Sequence, residues 1–255
     1  MNPLNLQDVN EYVNKNIEVF HNRRLAIISK LSLNRLTSKN PYLFRAKNIT
    51  KASALIESTL EAFLSSSEEK LFGDFLEDLA IYVASQTTGG HKSPAPGMDL
   101  EFDLDGIYHV ISIKSGPNWG NSSQHAKLAL DFSLAERRLR QSLHVRTVQK
   151  VLGICYGKAK TTLTNEGYVK VLGQNFWTLI SDNPNLYIDI IEPLGYMARE
   201  HNSRYEIERD RISNLLIKQF IDRFCDAAGL INWGKLLQAT SGNLDLEEFW
   251  GVLKP

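Results

Sequence analysis

Asp105-Gly106 stands between two strand-like runs, 99 to 104 and 107 to 114, and that dipeptide in that setting specifies a tight β-hairpin. Side chains two residues apart share a face of a strand. Lys114, Ser112, Val110 and Tyr108 therefore fall on one face of the second run, and Ile113, Ile111 and His109 on the other, with His109 read as turned toward the packed side. The first run offers two candidate carboxylates, Asp99 and Asp103, while Asp105 belongs to the turn. The second run has the composition of a buried strand, yet it closes on a lysine followed by Ser-Gly-Pro.

Around this hairpin the chain reads as helices, then a sheet, then helices. Residues 1 to 35 space Val9, Val13, Ile17, Phe20, Leu25, Ile28 and Leu31 near a helical turn, and "SKNPYLF" breaks that pattern. A second helix is expected over about 49 to 64, with Thr50 as its cap. A third is expected over 67 to 85, opened by the serines and acids of "SSSEE". "TTGGHKSPAPG" and "SGPNWGNSS" are loops, and 123 to 141 is helical. "VQKVLGICYG" is apolar enough for a central strand covered on both sides. A strand-to-helix unit over 168 to 180, a strand at "YIDII" (187 to 191) and a long amphipathic helix over 204 to 226 complete the reading. The fold class is α/β.

The 255 residues suffice for one sizeable core with appendages. Lys plus Arg and Asp plus Glu are equal at 29 each, so no global field announces a nucleic-acid partner, although local patches can hide in a neutral total. Cys155 and Cys225 lack metal-ligand spacing and read as reduced core residues of a cytoplasmic chain. No apolar run reaches the roughly 20 residues a bilayer requires, and the start of the chain is polar. The histidines are too dispersed for zinc, and no Gly-x-x-x-x-Gly-Lys loop supports ATP chemistry.

A carboxylate at one strand end beside a lysine on the next suits metal-dependent phosphodiester hydrolysis. The carboxylate holds a hard cation by oxygen ligation, and the cation polarises phosphate and acidifies water. An ammonium can orient that water and hold the phosphate. The same residues also fit a plain solvent-facing hairpin end, and the spacing alone does not decide between the two.

The stretch Asp99 to Lys114 resembles the signature of the PD-(D/E)xK nucleases, and in particular a branch of type II restriction endonucleases with serine at the second acidic position: here Ser112-Ile113-Lys114-Ser115-Gly116. The segment from Val151, with Tyr156-Gly157 and then Gly173-x-x-Phe176-Trp177, is similar to the same branch. The resemblance covers roughly 70 to 180. It implies a restriction-endonuclease-like core, a central mixed β-sheet flanked by helices over 67 to 200. A helical region over 1 to 66 would serve dimerisation or clamping, and a helical region over 201 to 255 would pack on the core.

The resemblance also implies roles. Asp99 would bridge metal and scissile phosphate, and Glu77, on the preceding helix, would supply the carboxylate that Ser112 lacks, with Asp74 and Asp78 as neighbouring alternatives. The Ile113 carbonyl would add a metal ligand, and Lys114 would activate water. Mg²⁺ is the implied cofactor, with Mn²⁺ as a substitute. The implied activity is double-strand cleavage at a specific, palindromic site leaving 5′-phosphate ends. The implied partners are duplex DNA and a second copy of the chain, with a cognate methyltransferase in the same system but not in contact, and no membrane or ATP.

For holding DNA, Asn118, Asn121 and Gln124 offer amides suited to adenine edges, and Trp119 is either a wedge or a packing anchor. Arg137, Arg138, Arg140, Arg146, Lys150, Lys158 and Lys160 face a single acid, Glu136, within 134 to 160, a bias suited to phosphate contacts or to a solvated surface. Lys92 is a further groove candidate. A shape- or lesion-directed nuclease of the same fold, or an inactive DNA-binding protein in which Ser112 marks a decayed site, are the other readings of these residues.

Overall fold

The computed structural model describes residues 1–142 and 147–253. In chain order the elements are α1 (Leu6–Ser29), α2 (Leu33–Thr37), α3 (Pro41–Ala46), α4 (Ala52–Thr87), β1 (His91–Lys92), β2 (Leu100–Leu104), β3 (Ile107–Lys114), α5 (Ser122–Ser142), β4 (Val148–Ile154), β5 (Thr162–Leu163), β6 (Val169–Leu172), α6 (Gln174–Ser181), α7 (Leu186–Asp189), α8 (Ile191–Leu194), α9 (Ala198–Phe224), α10 (Trp233–Ser241) and α11 (Leu246–Leu253). Two compact units result: Met1–His21 with Lys70–Ala198, and Asn22–Glu69 with the chain from Arg199 onward.

The first unit holds a six-stranded sheet in the order β1-β2-β3-β4-β6-β5. β3, β4 and β6 run parallel, whereas β1, β2 and β5 pair antiparallel at the flanks. This is the mixed α/β core with a central mixed sheet flanked by helices that the sequence led us to expect. The hairpin turn puts Asp105 at φ 53° and Gly106 at φ 80°, the doubly left-handed backbone that an Asp-Gly turn accommodates. Asp103 is occupied by that turn, its Oδ1 accepting from Gly106 N at 3.1 Å.

Alternation along β2 and β3 divides the apolar residues between two cores. Leu100, Phe102, Ile111 and Ile113 join Phe75, Leu76, Leu79 and Val83 of α4, Val9, Val13 and Ile17 of α1, and Phe176 and Trp177 of α6. Tyr108 and Val110 join Leu128, Phe132, Ala135 and Leu139 of α5 on the opposite face. Each such side chain contributes about 1.5–3 kcal/mol by leaving water. A one-residue slip would exchange the two sets, so the register is strongly specified. His109 lies on the α4 side, stacked on Phe102 at 4.9 Å, and burial lowers its pKa.

Two expectations need correction. "SSSEE" does not start a helix: α4 runs unbroken through it, and Ser66 and Ser67 donate back to the carbonyls of Ala62 and Phe63 at 3.0 and 2.9 Å. The hydroxyls thus bond within the helix instead of capping one. "YIDII" is not a strand. It lies in α7 and α8, where Ile190 and Leu186, the residue just before the segment, reach the core at a helical spacing of four.

The second unit is helical. Its core joins Ile28, Leu36, Phe44, Leu55, Ile56 and Leu60 to Ile212, Leu216, Phe220 and Phe224 of α9. Arg24 stacks over the Tyr205 ring at 3.6 Å and pairs with Glu68 at 2.6 Å.

Candidate active site

The site is built at the end of β3, where the hairpin returns its two termini to one place. Asp99 stands immediately before β2, and its N–H donates to Ile111 O at 2.8 Å. Its carboxylate Oδ2 accepts from Ile113 N at 2.6 Å and from Ser112 Oγ at 3.3 Å. A backbone donor and a hydroxyl therefore fix the Asp99 rotamer. Ser112, 1% exposed, reaches Asp99 and acts as its support.

Lys114 closes the constellation. Its Nζ lies 3.7 Å from Asp99 Oδ2, donates to Ile113 O at 2.8 Å, and sits 5.4 Å from the centre of the Trp119 ring. A carboxylate, a carbonyl and an aromatic face thus position the Lys114 side chain from three sides. Trp119 in turn meets His125 edge-on at 5.1 Å, and His125 Nδ1 lies 3.0 Å from Tyr168 Oη. The tryptophan loop is thus tied both to the lysine and to the α5 side of the sheet.

Glu77 comes from α4. Burial raises its pKa first, and the nearby Asp99 charge adds to that, while Lys92 and Lys114 act in the opposite direction. Its Oε1 is 3.5 Å from Lys92 Nζ. The Cys155 thiol, pushed up to about 12 mainly by burial, also responds to the charges of Glu77 and Lys114. Asp78, in contrast, acts on Tyr12 of α1, and Asp74 is exposed. Of the three α4 acids, Glu77 is the one whose charge couples to Asp99.

No group of three or more His, Cys, Asp or Glu side chains gathers as a metal cage among the described residues. The donors at hand are the Asp99 and Glu77 carboxylates and the Ile113 carbonyl, all oxygen. That set fits a hard cation such as Mg²⁺, which keeps several waters and takes one or two carboxylates. Two carboxylates close enough for one to raise the other's pKa also gain from a cation between them.

The other nominated residues are placed as follows. Asn121 and Gln124 form a capping box on α5: Gln124 N donates to Asn121 Oδ1 at 3.0 Å, and Asn121 N donates to Gln124 Oε1 at 2.9 Å. The signal, Asn-Ser-Ser-Gln before a helix, was present in the sequence. Asn118 and Arg137 are exposed. Arg140 pairs with Glu136 at 2.8 Å, and Lys150 reaches the same carboxylate at 3.3 Å. Arg138 pairs with Glu101. Arg146 lies outside the described residues.

Sequence reasoning missed Glu101. It is 1% exposed on β2, accepts from Ser93 Oγ at 2.6 Å and Tyr108 Oη at 3.3 Å, and pairs with Arg138 of α5. Alternation puts it with Asp103 on the face of β2 opposite Leu100 and Phe102, but no local signal marks it as buried. Also overlooked was why the segments after β4 are spaced as they are. Gly173, at φ 51°, brings its backbone so near Gly157 that an added Cβ would lie 2.4 Å from the Gly157 carbonyl oxygen. Trp177 Nε1 then donates to Cys155 O at 2.8 Å, locking the strand end beside Lys114.

Among the described residues no helix is long and apolar enough to cross a membrane. The family model described as type II restriction endonuclease EcoO109I matches residues 7–202. Comparison with curated proteins gives no significant match.

Proposed function

The chain belongs to the type II restriction endonuclease EcoO109I family, and from that premise we propose that it cleaves both strands of duplex DNA at a specific, palindromic site with Mg²⁺, as a homodimer, leaving 5′-phosphate and 3′-hydroxyl ends. The observation that carries the reading is the Asp99–Lys114 pair, 3.7 Å apart at adjoining strand ends with the Asp99 carboxylate anchored by Ile113 N.

Asp99, Glu77 and the Ile113 carbonyl would hold the cation. When bound, Mg²⁺ polarises the scissile phosphate and acidifies water, and Mn²⁺ would substitute. Lys114 would hydrogen-bond the attacking water in line with phosphorus and steady the phosphate charge as it grows. Ser112 would keep Asp99 aimed by donating to it. The replacement of a carboxylate by serine leaves Glu77 as the second acid, and its raised pKa supports that assignment, because a cation would relieve the crowding of negative charge.

The duplex would lie against the loop that carries Asn118 and Trp119, with Arg137 on a phosphate. Gln124, Arg140 and Lys92 complete the proposed DNA-facing set, each already engaged within the chain, whereas Asn121 and Arg138, nominated with them, are taken up by the α5 cap and by Glu101. A two-fold dimer matches a palindromic site. We further propose the division into a helical region over 1–66, a catalytic core over 67–200 and a C-terminal helical region over 201–255, with a methyltransferase of the same specificity protecting host DNA.

The test is digestion of unmodified phage DNA with Mg²⁺ by wild type and Lys114→Ala. Discrete bands from wild type alone support the reading. Intact DNA from both, across several metals and genomes of varied modification, overturns it.

A further inference from the structure

Arg138 was a natural phosphate contact by charge, but its surroundings give it another task. Its guanidinium reaches inward to Glu101, a carboxylate that is 1% exposed, and its Nε is itself out of solvent. Glu101 also takes the Ser93 hydroxyl at 2.6 Å and the Tyr108 hydroxyl at 3.3 Å. Ser93 is the hinge of the arrangement. Its Oγ accepts from Ala95 N at 3.0 Å, and its N–H donates to the carbonyl of Asp99 at 3.1 Å. Met98 N closes the segment on Ala95 O at 3.1 Å. Ser93 thus ties the start of 93–99 to Asp99 through its backbone and to Glu101 through its hydroxyl, and Glu101, buried, is paired with Arg138, whose side chain is one-third exposed.

We propose that Arg138 and Glu101 are positioning residues that act through Ser93 on Asp99, and that Arg138 makes no contact with DNA phosphate. The proposal rests on the nuclease reading above for its catalytic consequence. A buried carboxylate needs its cation, because an unpaired charge in the interior is far more costly than the pair is favourable. Drawing Arg138 out to a phosphate would leave Glu101 in that condition.

The experiment compares wild type, Arg138→Met and the double variant Glu101→Gln/Arg138→Met in three measurements. The first is the salt dependence of binding to a non-specific duplex with Ca²⁺. The second is the Mg²⁺ concentration that raises the thermal midpoint of the free protein. The third is single-turnover cleavage well below that midpoint. We expect an unchanged salt slope in both variants. Arg138→Met requires about tenfold more Mg²⁺ and cleaves about 10–100-fold more slowly, as supporting residues around metal ligands generally do. The double variant, which leaves no orphaned charge, recovers at least part of both losses and supplies all three measurements if the single variant does not fold.

A slope smaller by about 0.9, the signature of one lost phosphate contact, overturns the proposal. So does a variant with lowered stability but unaltered Mg²⁺ requirement and rate, which would make the ion pair merely structural. If wild type cleaves no DNA, the function proposed above falls, while the salt slope and the Mg²⁺ requirement still decide the role of Arg138.

Discussion

The β2–β3 hairpin and helix α5 both carry residues nominated from sequence, and they treated those nominations differently. In the hairpin, Asp99, Ser112, Ile113 and Lys114 meet at one point through two short contacts to backbone and two longer side-chain contacts. Along α5, Asn121 and Gln124 cap the helix, Arg138 reaches a buried carboxylate on β2, and Arg140 pairs with Glu136. The difference lies in reach. A strand's side chain is aimed by a period of two and has little choice of neighbour, whereas a long cation on a helix finds whichever acid another element supplies.

The largest effect that would sharpen this contrast is expected at the hairpin. Lys114→Met or Asp99→Asn should lower single-turnover cleavage by about 10²–10³-fold, the usual loss when one transition-state electrostatic group is removed, with duplex binding in Ca²⁺ little changed. Equal loss of binding and cleavage would break the contrast, since these residues would then be holding DNA and not reacting with it.

Glu77→Gln should come next, lowering cleavage on the order of tenfold or more and raising the Mg²⁺ requirement. Its effect on stability has the opposite sign. A carboxyl whose folded pKa is raised binds its proton more tightly folded than unfolded, so the stability it lends is full below the unfolded pKa of 4.5 and is lost as pH rises through the higher folded value. Without metal, Glu77→Gln should therefore raise the thermal midpoint at pH 8 and change it little at pH 4. A destabilised variant at pH 8 would mean that the charge interacts favourably with Lys92 and Lys114 by more than burial and Asp99 cost it.

Smaller effects are expected on α5. Arg137→Ala should reduce the salt slope of duplex binding by about 0.9, whereas Arg140→Ala, whose side chain is already paired with Glu136, should reduce it less. Equal reductions would show that the pairing on this helix yields to phosphate. The smallest is Asn121→Ala, which should cost about 1 kcal/mol in chemical denaturation as a lost helix cap and leave the cleavage pattern unaltered. A changed pattern at unchanged stability would restore Asn121 to base recognition.

The same contrast explains what was legible. Asp99, Lys114 and the hairpin could be read because the Asp-Gly turn and the alternation act within 16 residues. Glu77 could be nominated only through family resemblance. Its coupling to Asp99 depends on how α4 lies on the sheet, which no local pattern encodes. Glu101 was hidden for the reason opposite to that of Arg138: an acid in an alternating strand reads as solvent-facing unless its buried partner is known. The unbroken course of α4 through three serines was hidden as well, because a serine's choice between capping a helix and bonding back along one is made by the residues that pack beside it.

The parallel pairing of β3 with β4 also has a consequence for how the protein is made. A hairpin closes in about 1–10 μs, so β2 and β3 can join as soon as both are free of the ribosome. The other edge of β3 has to wait for β4, and Val148 follows Lys114 by 34 residues, α5 among them. At roughly 5–20 residues per second that interval lasts about 2–7 s. Throughout it, Tyr108 to Ile113, six consecutive residues that end up buried, present an open edge to any neighbouring nascent chain. The strand that carries the lysine is thus exposed along one edge during synthesis, although α4, made before it, can already cover its Ile111 and Ile113 face, and α5, capped at Asn121, is the element that covers the Tyr108 and Val110 face.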